Sequence, residues 1–179
     1  MIYVIRHGQT DLNKERRMQG RNGLPLNEEG IKQAQNLKEK LKDIHFDFVF
    51  SSPQERAIQT AEIVTGQKPN IDERLNVFDL GEADGLPISE IKLAGPTPDP
   101  AIYSGVEDKD AFAKRVFSFM KELEENYGDK EVNILISGHG CTTGCIGAYF
   151  EGIPSDKNIT IYSSKHGEYK TYQFSKERV

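Results

Sequence analysis

The residues of this chain that could do chemistry fall at the ends of apolar runs. Met1 to Ile5 is apolar and β-branched, and Arg6-His7-Gly8 follows it directly. Val132 to Ile136 is a second such run, closed by Ser137-Gly138-His139-Gly140. A third, Asp47 to Ser51, leads through Ser52-Pro53 to Arg56. The carboxyl ends of parallel strands are where α/β proteins place ligand chemistry. An arginine fork grips phosphate oxygens in bidentate fashion and does not lose its charge. An imidazole titrates near neutrality and can act as a nucleophile. Two arginines and a second histidine around a nucleophilic histidine make a phosphoryl-transfer site. Their positive charge offsets the charge on the equatorial oxygens, and no metal is needed for it. Each feature has an ordinary reading when taken alone. Arg6-His7-Gly8 is then a turn, Arg56 a residue of a helix start, and His139 a hydrogen-bonded turn histidine. Their joint placement is what points to chemistry.

The elements that must position these residues follow from periodicity. Asn27 reads as an N-cap, with Glu28 and Glu29 in the first turn of a helix running through Ile31, Ala34, Leu37 and Leu41. Ser52-Pro53 reads as a capping hydroxyl with proline at the first helical position, opening a helix that carries Arg56, Ala57, Thr60 and Ala61 and stops near Gly66. Asn70 to Asn76 reads as a third strand, and residues 86–106 as an irregular lid. A long helix spans Asp108 to Tyr127, with Phe112, Val116, Phe119 and Leu123 on its buried face and Glu107 starting or capping it. A small-residue helix runs from Gly140 to about Phe150. Asn158 to Ser163 and Tyr169 to Phe174 read as two strands joined by a hairpin turn at His166-Gly167. Strands alternating with helices predict a three-layer α/β/α sandwich with a mostly parallel central sheet, in a single domain over residues 1–179.

Composition sets limits on function. The chain has 179 residues, which suits one domain with one core. A net charge of −5 speaks against a nucleic-acid partner. No apolar run approaches a membrane span, and the candidate active strand leaves no room for a signal peptide before it. Cys141 and Cys145, at i, i+4 on one helix face, read as packing residues of a reduced, cytoplasmic protein. With His139 they could suggest a metal, but no further ligand cluster accompanies them. No cofactor is expected, the expected partner is a small phosphorylated substrate, and oligomeric state is not legible. The Lys14 to Arg21 charge cluster reads either as a solvated loop or as substrate attraction. His45 and His166 lie in polar turns and take no role.

The chain resembles the histidine phosphatase superfamily, the phosphoglycerate mutase-like proteins, across most of its length. The resemblance rests on Arg6-His7-Gly8 with Thr10 and Asn13, Gln19-Gly20, and Pro25-Leu26 with Gly30, Gln33 and Ala34. It continues in Ser51-Ser52-Pro53 with Arg56-Ala57 and Gln59-Thr60-Ala61, then Gly81, Gly85, Glu107 and His139-Gly140. It implies that His7 takes the phosphoryl group and that Arg6, Arg56 and His139 form the phosphate pocket. It also implies that Thr10, Asn13, Gln19, Gly20 and Gly140 line the substrate side. In one respect the chain departs from the family pattern. Aligned on Leu75, Gly81 and Gly85, Val77 stands where the family's general-acid glutamate is usual, and Ala83 stands where a tryptophan is usual. Asp79, two residues on and on the same face of an extended segment, is the stand-in candidate, with Glu82 the weaker one. Otherwise the substrate needs little acid help, as an aryl phosphate, an acyl phosphate or a phosphoramidate would. Lys92 is the only basic residue in the lid, which argues for hydrolysis over mutase chemistry. The order of readings is phosphatase, phosphohistidine (phosphoramidate) phosphatase, mutase, and a non-catalytic phosphate-binding module.

Overall fold

The structure, a computed structural model, describes residues 1–175. The strands are β1 (Ile2–Arg6), β2 (Phe48–Ser51), β3 (Asn70–Ile71), β4 (Leu93–Ala94), β5 (Thr97–Pro98), β6 (Ile134–Gly138) and β7 (Tyr169–Tyr172). The helices are α1 (Asp11–Lys14), α2 (Glu28–Lys40), α3 (Glu55–Thr65), α4 (Lys109–Tyr127) and α5 (Gly140–Glu151). Among the described residues the main sheet has order β3-β2-β6-β1-β7, with only β7 antiparallel. Alternation along the strands divides the core. Ile2, Val4, Ile134 and Ile136 meet Phe112, Val116, Phe119 and Met120 of α4 and Ile146 of α5. Ile5, Val49 and Leu135 face the other way, onto Leu37 of α2 and Ala61 and Val64 of α3. That is the three-layer α/β/α arrangement expected, with a mostly parallel sheet buried on both faces.

The helix signals at Asn27 and Gly66 hold, and the cap of α4 is Asp108, one residue after the one expected. Asn27 Oδ1 accepts the Gly30 N–H at 2.8 Å, Gly66 closes α3 with φ of 69°, and Asp108 caps α4 through Ala111 N–H. Several readings need correction. The helix after Ser52-Pro53 starts later, at Glu55 with Gln54 as N-cap; the Ser52 hydroxyl accepts the Gln54 N–H at 3.3 Å and lies 2.8 Å from His139 Nε2. The third strand is only Asn70–Ile71. Asp72 then accepts the Arg74 N–H and turns the chain into a 3₁₀ turn at Glu73–Leu75. Glu107 does not cap α4. It forms an ion pair with Arg115, whose guanidinium donates to the carbonyls of Arg74, Asn76 and Val77. The segment read as an irregular lid holds a 3₁₀ turn at Ile88–Glu90 and the β4–β5 hairpin.

Asn158 to Ser163 is not a strand. Asn158 Oδ1 accepts the Thr160 N–H, and Ile159–Tyr162 winds into a 3₁₀ turn. The turn lies against the glycine face of α5. A Cβ on Gly147 would sit 2.4 Å from Tyr162 Cβ, and one on Gly144 2.7 Å from the Ile159 carbonyl oxygen. Of the predicted hairpin, only Tyr169–Tyr172 is a strand, and it pairs with β1.

Candidate active site

Strand register brings the candidate residues to one edge. Arg6 lies opposite Gly138, and Ser51 opposite Ser137. The next residue of each strand is therefore His7, His139 and Ser52 in turn, all beyond the same end of the sheet. The His7 and His139 rings are 5.2 Å apart between centroids. His7 is 3 % exposed and Arg56 1 %. Arg56 is the second residue of α3, and the charge on its guanidinium is felt at both imidazoles.

Each side chain is oriented by a specific contact. His7 Nδ1 lies 2.6 Å from the Gly8 carbonyl, so Nδ1 carries the proton and Nε2 presents its lone pair. Ser52 Oγ lies 2.8 Å from His139 Nε2. With the hydroxyl donating there, His139 Nδ1 carries the proton and has no protein partner. Arg6 Nη1 donates to the Ser164 carbonyl at 2.9 Å, and Arg56 Nη2 donates to the Gly20 carbonyl at 2.8 Å. Arg6 Nε, Arg56 Nε and His139 Nδ1 are buried N–H groups without a partner among the described residues. Buried donors left unpaired cost about 1–3 kcal/mol each, so three of them converging on one place mark a site for an acceptor-rich ligand.

The loops are packed tightly around this place. A Cβ on Gly8 would lie 2.4 Å from the Gly30 carbonyl oxygen, so the loop after β1 meets the first turn of α2 backbone to backbone. A Cβ on Gly23 would lie 2.0 Å from Arg56 Nη1. Asp84 accepts the Gly20 and Asn22 N–H groups at 2.8 and 3.1 Å, pinning the loop whose carbonyl holds Arg56. Thr10, Asn13 and Gln19 form one hydrogen-bonded cluster. Thr10 and Asn13 make a capping box on α1, and Gln19 Oε1 lies 3.0 Å from the Thr10 hydroxyl. Thr10 is fully buried, so its contribution is to shape the loop. Gly140 opens α5 beside the Arg6 guanidinium, where a Cβ would come within 3.0 Å of Cζ.

Asp79 is not drawn in by the same contacts. Its Oδ1 accepts the Gly81 N–H at 3.0 Å, and Arg21 lies 3.9 Å from Oδ2 on the surface. Val77 is 5 % exposed yet belongs to neither apolar cluster, while Leu75 and Phe78 on either side do. One neighbour of His7 carried no signal in the sequence. His166, in the turn before β7, lies 5.1 Å from His7 between ring centroids. Sequence alone gave no reason to link residues 7 and 166. Antiparallel pairing of Ile5 with Tyr169 does so.

Burial, reinforced by the arginines, holds His7 and His139 well below the usual imidazole range and His166 down to about 4. All three are neutral at pH 7. The unfolded chain, with ordinary histidines near 6.5, therefore binds more protons than the folded one as pH falls through and below that value. The sign follows: stability rises with pH in this window and is lost on acidification from about 6.5 toward 4. Thermal melts should show Tm falling between about pH 6.5 and 5, above the ordinary carboxylate range, and falling less with saturating phosphate. A Tm that is flat over that window would show that the histidines are not held neutral.

The comparisons with known proteins agree with this geometry. The family model of the histidine phosphatase superfamily (branch 1) matches residues 2–177. A Bacillus subtilis protein named "Uncharacterized phosphatase PhoE" is 32 % identical over 142 residues, 78 % of this chain and 71 % of that one. A Salmonella arizonae protein named "Probable phosphoglycerate mutase GpmB" is 29 % identical over 167 residues, 86 % of this chain and 76 % of that one. Among solved structures, a mycobacterial glucosyl-3-phosphoglycerate phosphatase complexed with VO3 superposes with a TM-score of 0.79 at 26 % identity. That match covers 94 % of this chain and 90 % of the other. No helix among the described residues is long and apolar enough to cross a membrane.

Proposed function

This chain belongs to the histidine phosphatase superfamily, and from that premise we propose that it is a metal-independent phosphatase acting on a small phosphorylated substrate through a phosphohistidine at His7. The reading rests on the three unpaired buried donors, Arg6 Nε, Arg56 Nε and His139 Nδ1, around a neutral His7. In the first step His7 Nε2 attacks phosphorus, forming N–P as the P–O bond to the leaving group breaks. The proton stays on Nδ1, donated in a hydrogen bond to the Gly8 carbonyl, so the ring is aimed before substrate arrives. Arg6, Arg56 and His139 donate to the equatorial oxygens. In the second step water attacks phosphorus, N–P breaks, and inorganic phosphate leaves with the water's oxygen. Positive charge comes from the guanidiniums. Arg56 stays protonated at pH 7, since burial brings it down only to about 10. A half-buried ion pair, Glu107 with Arg115, holds the 74–77 segment in place through the guanidinium's bonds to its carbonyls.

A second reading has its own support. With Val77 at the glutamate position, a substrate whose leaving group needs no external proton is favoured, and a phosphoramidate such as phosphohistidine is of that kind. Cytoplasmic residence belongs to the same proposal, from the two free cysteines and the class of substrate. The testing experiment is turnover of an aryl phosphate in the presence of EDTA. Full activity in chelator is expected. Activity lost in chelator and restored by a divalent ion would overturn the metal-independent mechanism, and absence of turnover with any aryl phosphate or phosphoramidate would overturn both phosphatase readings, leaving the mutase and the binding module.

A further inference from the structure

We propose that His166 is a third histidine of the phosphate pocket, whose Nε2, when protonated, donates to an equatorial phosphoryl oxygen, so that phosphate binding draws a proton onto this side chain. The inference rests on the pocket assignment above and adds to it a residue that neither the family resemblance nor the motifs single out. His7 lies between two rings, with His139 at 5.2 Å on the β6 side and His166 at 5.1 Å on the β7 side. His166 Nδ1 donates to the His7 carbonyl at 3.1 Å. That bond fixes the tautomer. The other nitrogen, Nε2, has a lone pair and no protein partner among the described residues. The turn that carries the ring is itself anchored: Gly167 N–H donates to the Arg6 carbonyl at 3.1 Å, and Arg6 Nη1 donates to the Ser164 carbonyl. A Cβ on Gly167 would meet Gln33 Cβ at 2.6 Å, so the turn is wedged between β1 and α2.

The charged and titratable groups facing the ring are Arg6 of β1, His7 just beyond it, and Arg56 of α3. α2 presents the uncharged Gln33 to the turn, and the charged residues nearest His166 in the chain, Lys165 and Glu168, are exposed. In the free protein two guanidiniums and burial keep the ring neutral. A phosphate dianion between the same guanidiniums cancels that repulsion and supplies an acceptor. Nε2 then takes a proton from solvent on binding and returns it on release, with no other bond made or broken. The general-acid role does not suit this position. The leaving group departs in line with the N–P axis, away from the His7 ring, whereas a ring beside His7 reaches the equatorial oxygens.

The test is imidazole NMR of the intact chain, titrated with and without saturating inorganic phosphate. The expected result is a His166 midpoint near 4 without phosphate, raised by about four pH units, to about 8, with it, so that the ring is charged in the complex at pH 7. His166→Asn should weaken inorganic phosphate binding about tenfold at pH 7, the loss of one charge-assisted hydrogen bond. The dependence of rate on leaving-group pKa should be unchanged in that variant. Phosphate that perturbs His7 and His139 but leaves the His166 midpoint in place would overturn this inference alone. Phosphate that perturbs none of the three would overturn the pocket assignment with it. A steeper leaving-group dependence in His166→Asn would make the residue an acid instead and refute the equatorial role.

Discussion

His7→Ala should abolish phosphatase turnover, lowering kcat by at least about 10⁴-fold, while leaving phosphate binding largely in place. The two halves of this expectation have different sources. Turnover depends on the His7 Nε2 lone pair, which alone lies on the line of attack; the His166 ring beside it is placed toward the equatorial oxygens. His139 Nε2 is engaged by Ser52, and its Nδ1 carries the proton. Binding depends on Arg6, Arg56 and His139, which the substitution does not touch. Truncating a side chain that is 3 % exposed leaves a small polar cavity at a strand end, outside both apolar clusters. The fold should therefore persist, as inorganic phosphate binding and an unchanged circular dichroism spectrum would show. In the wild-type protein, labelled substrate trapped by rapid denaturation should leave a base-stable, acid-labile adduct at residue 7. An adduct on serine or cysteine, or a His7→Ala variant that turns over, would refute the mechanism.

The parts of this protein legible in sequence are those whose signals are local. The β1 and β6 runs are continuous and apolar because both faces of the sheet are covered, and Asn27 and Gly66 act within a turn of themselves. The convergence of His7, His139 and Arg56 was readable because parallel strands with similar helices end on the same edge. Most of the misreadings trace to a contact with a residue distant in sequence. Ser52 has the composition of a helix cap, but its hydroxyl also reaches His139, and α3 begins at Glu55. Asn158 to Ser163 alternates like a strand. Its backbone fits instead against Gly144 and Gly147 of α5, a surface that periodicity does not describe. Glu107 sits where a cap belongs, but Arg115, two turns on, takes its carboxylate. His166 was invisible for the same reason: its role is set by the register of β7 on β1.

The absence of the usual glutamate should make this enzyme leaving-group limited. Cleaving the P–O bond to an alkoxide needs a proton, whereas a phenolate or an amine leaving group does not need one from the enzyme. A positioned acid contributes typically about 10²–10⁴ in rate, so alkyl phosphates should be hydrolysed slower than aryl phosphates by at least that margin. Val77 is the place to repair it. The side chain is buried, lies outside both apolar clusters, and follows Asn76, which reaches Arg56 through Gln54. A carboxyl there would be desolvated, which favours the protonated state a general acid needs. Val77→Glu should raise alkyl phosphate hydrolysis by about tenfold or more and flatten the leaving-group dependence, with little change for aryl phosphates. Asp79 is the rival. Its carboxylate accepts the Gly81 N–H and faces Arg21, and its own N–H donates to Glu107, so it is tied into the turn. Asp79→Asn keeps an oxygen for the Gly81 N–H and should change alkyl and aryl rates alike, within about twofold. If Asp79→Asn instead slows alkyl substrates far more than aryl ones, Asp79 is the acid and the turn must open to bring it in. If the wild-type rate does not respond to leaving-group pKa and Asp79→Asn is inert, an acid acts from elsewhere and the reading of Val77 as an uncompensated loss fails.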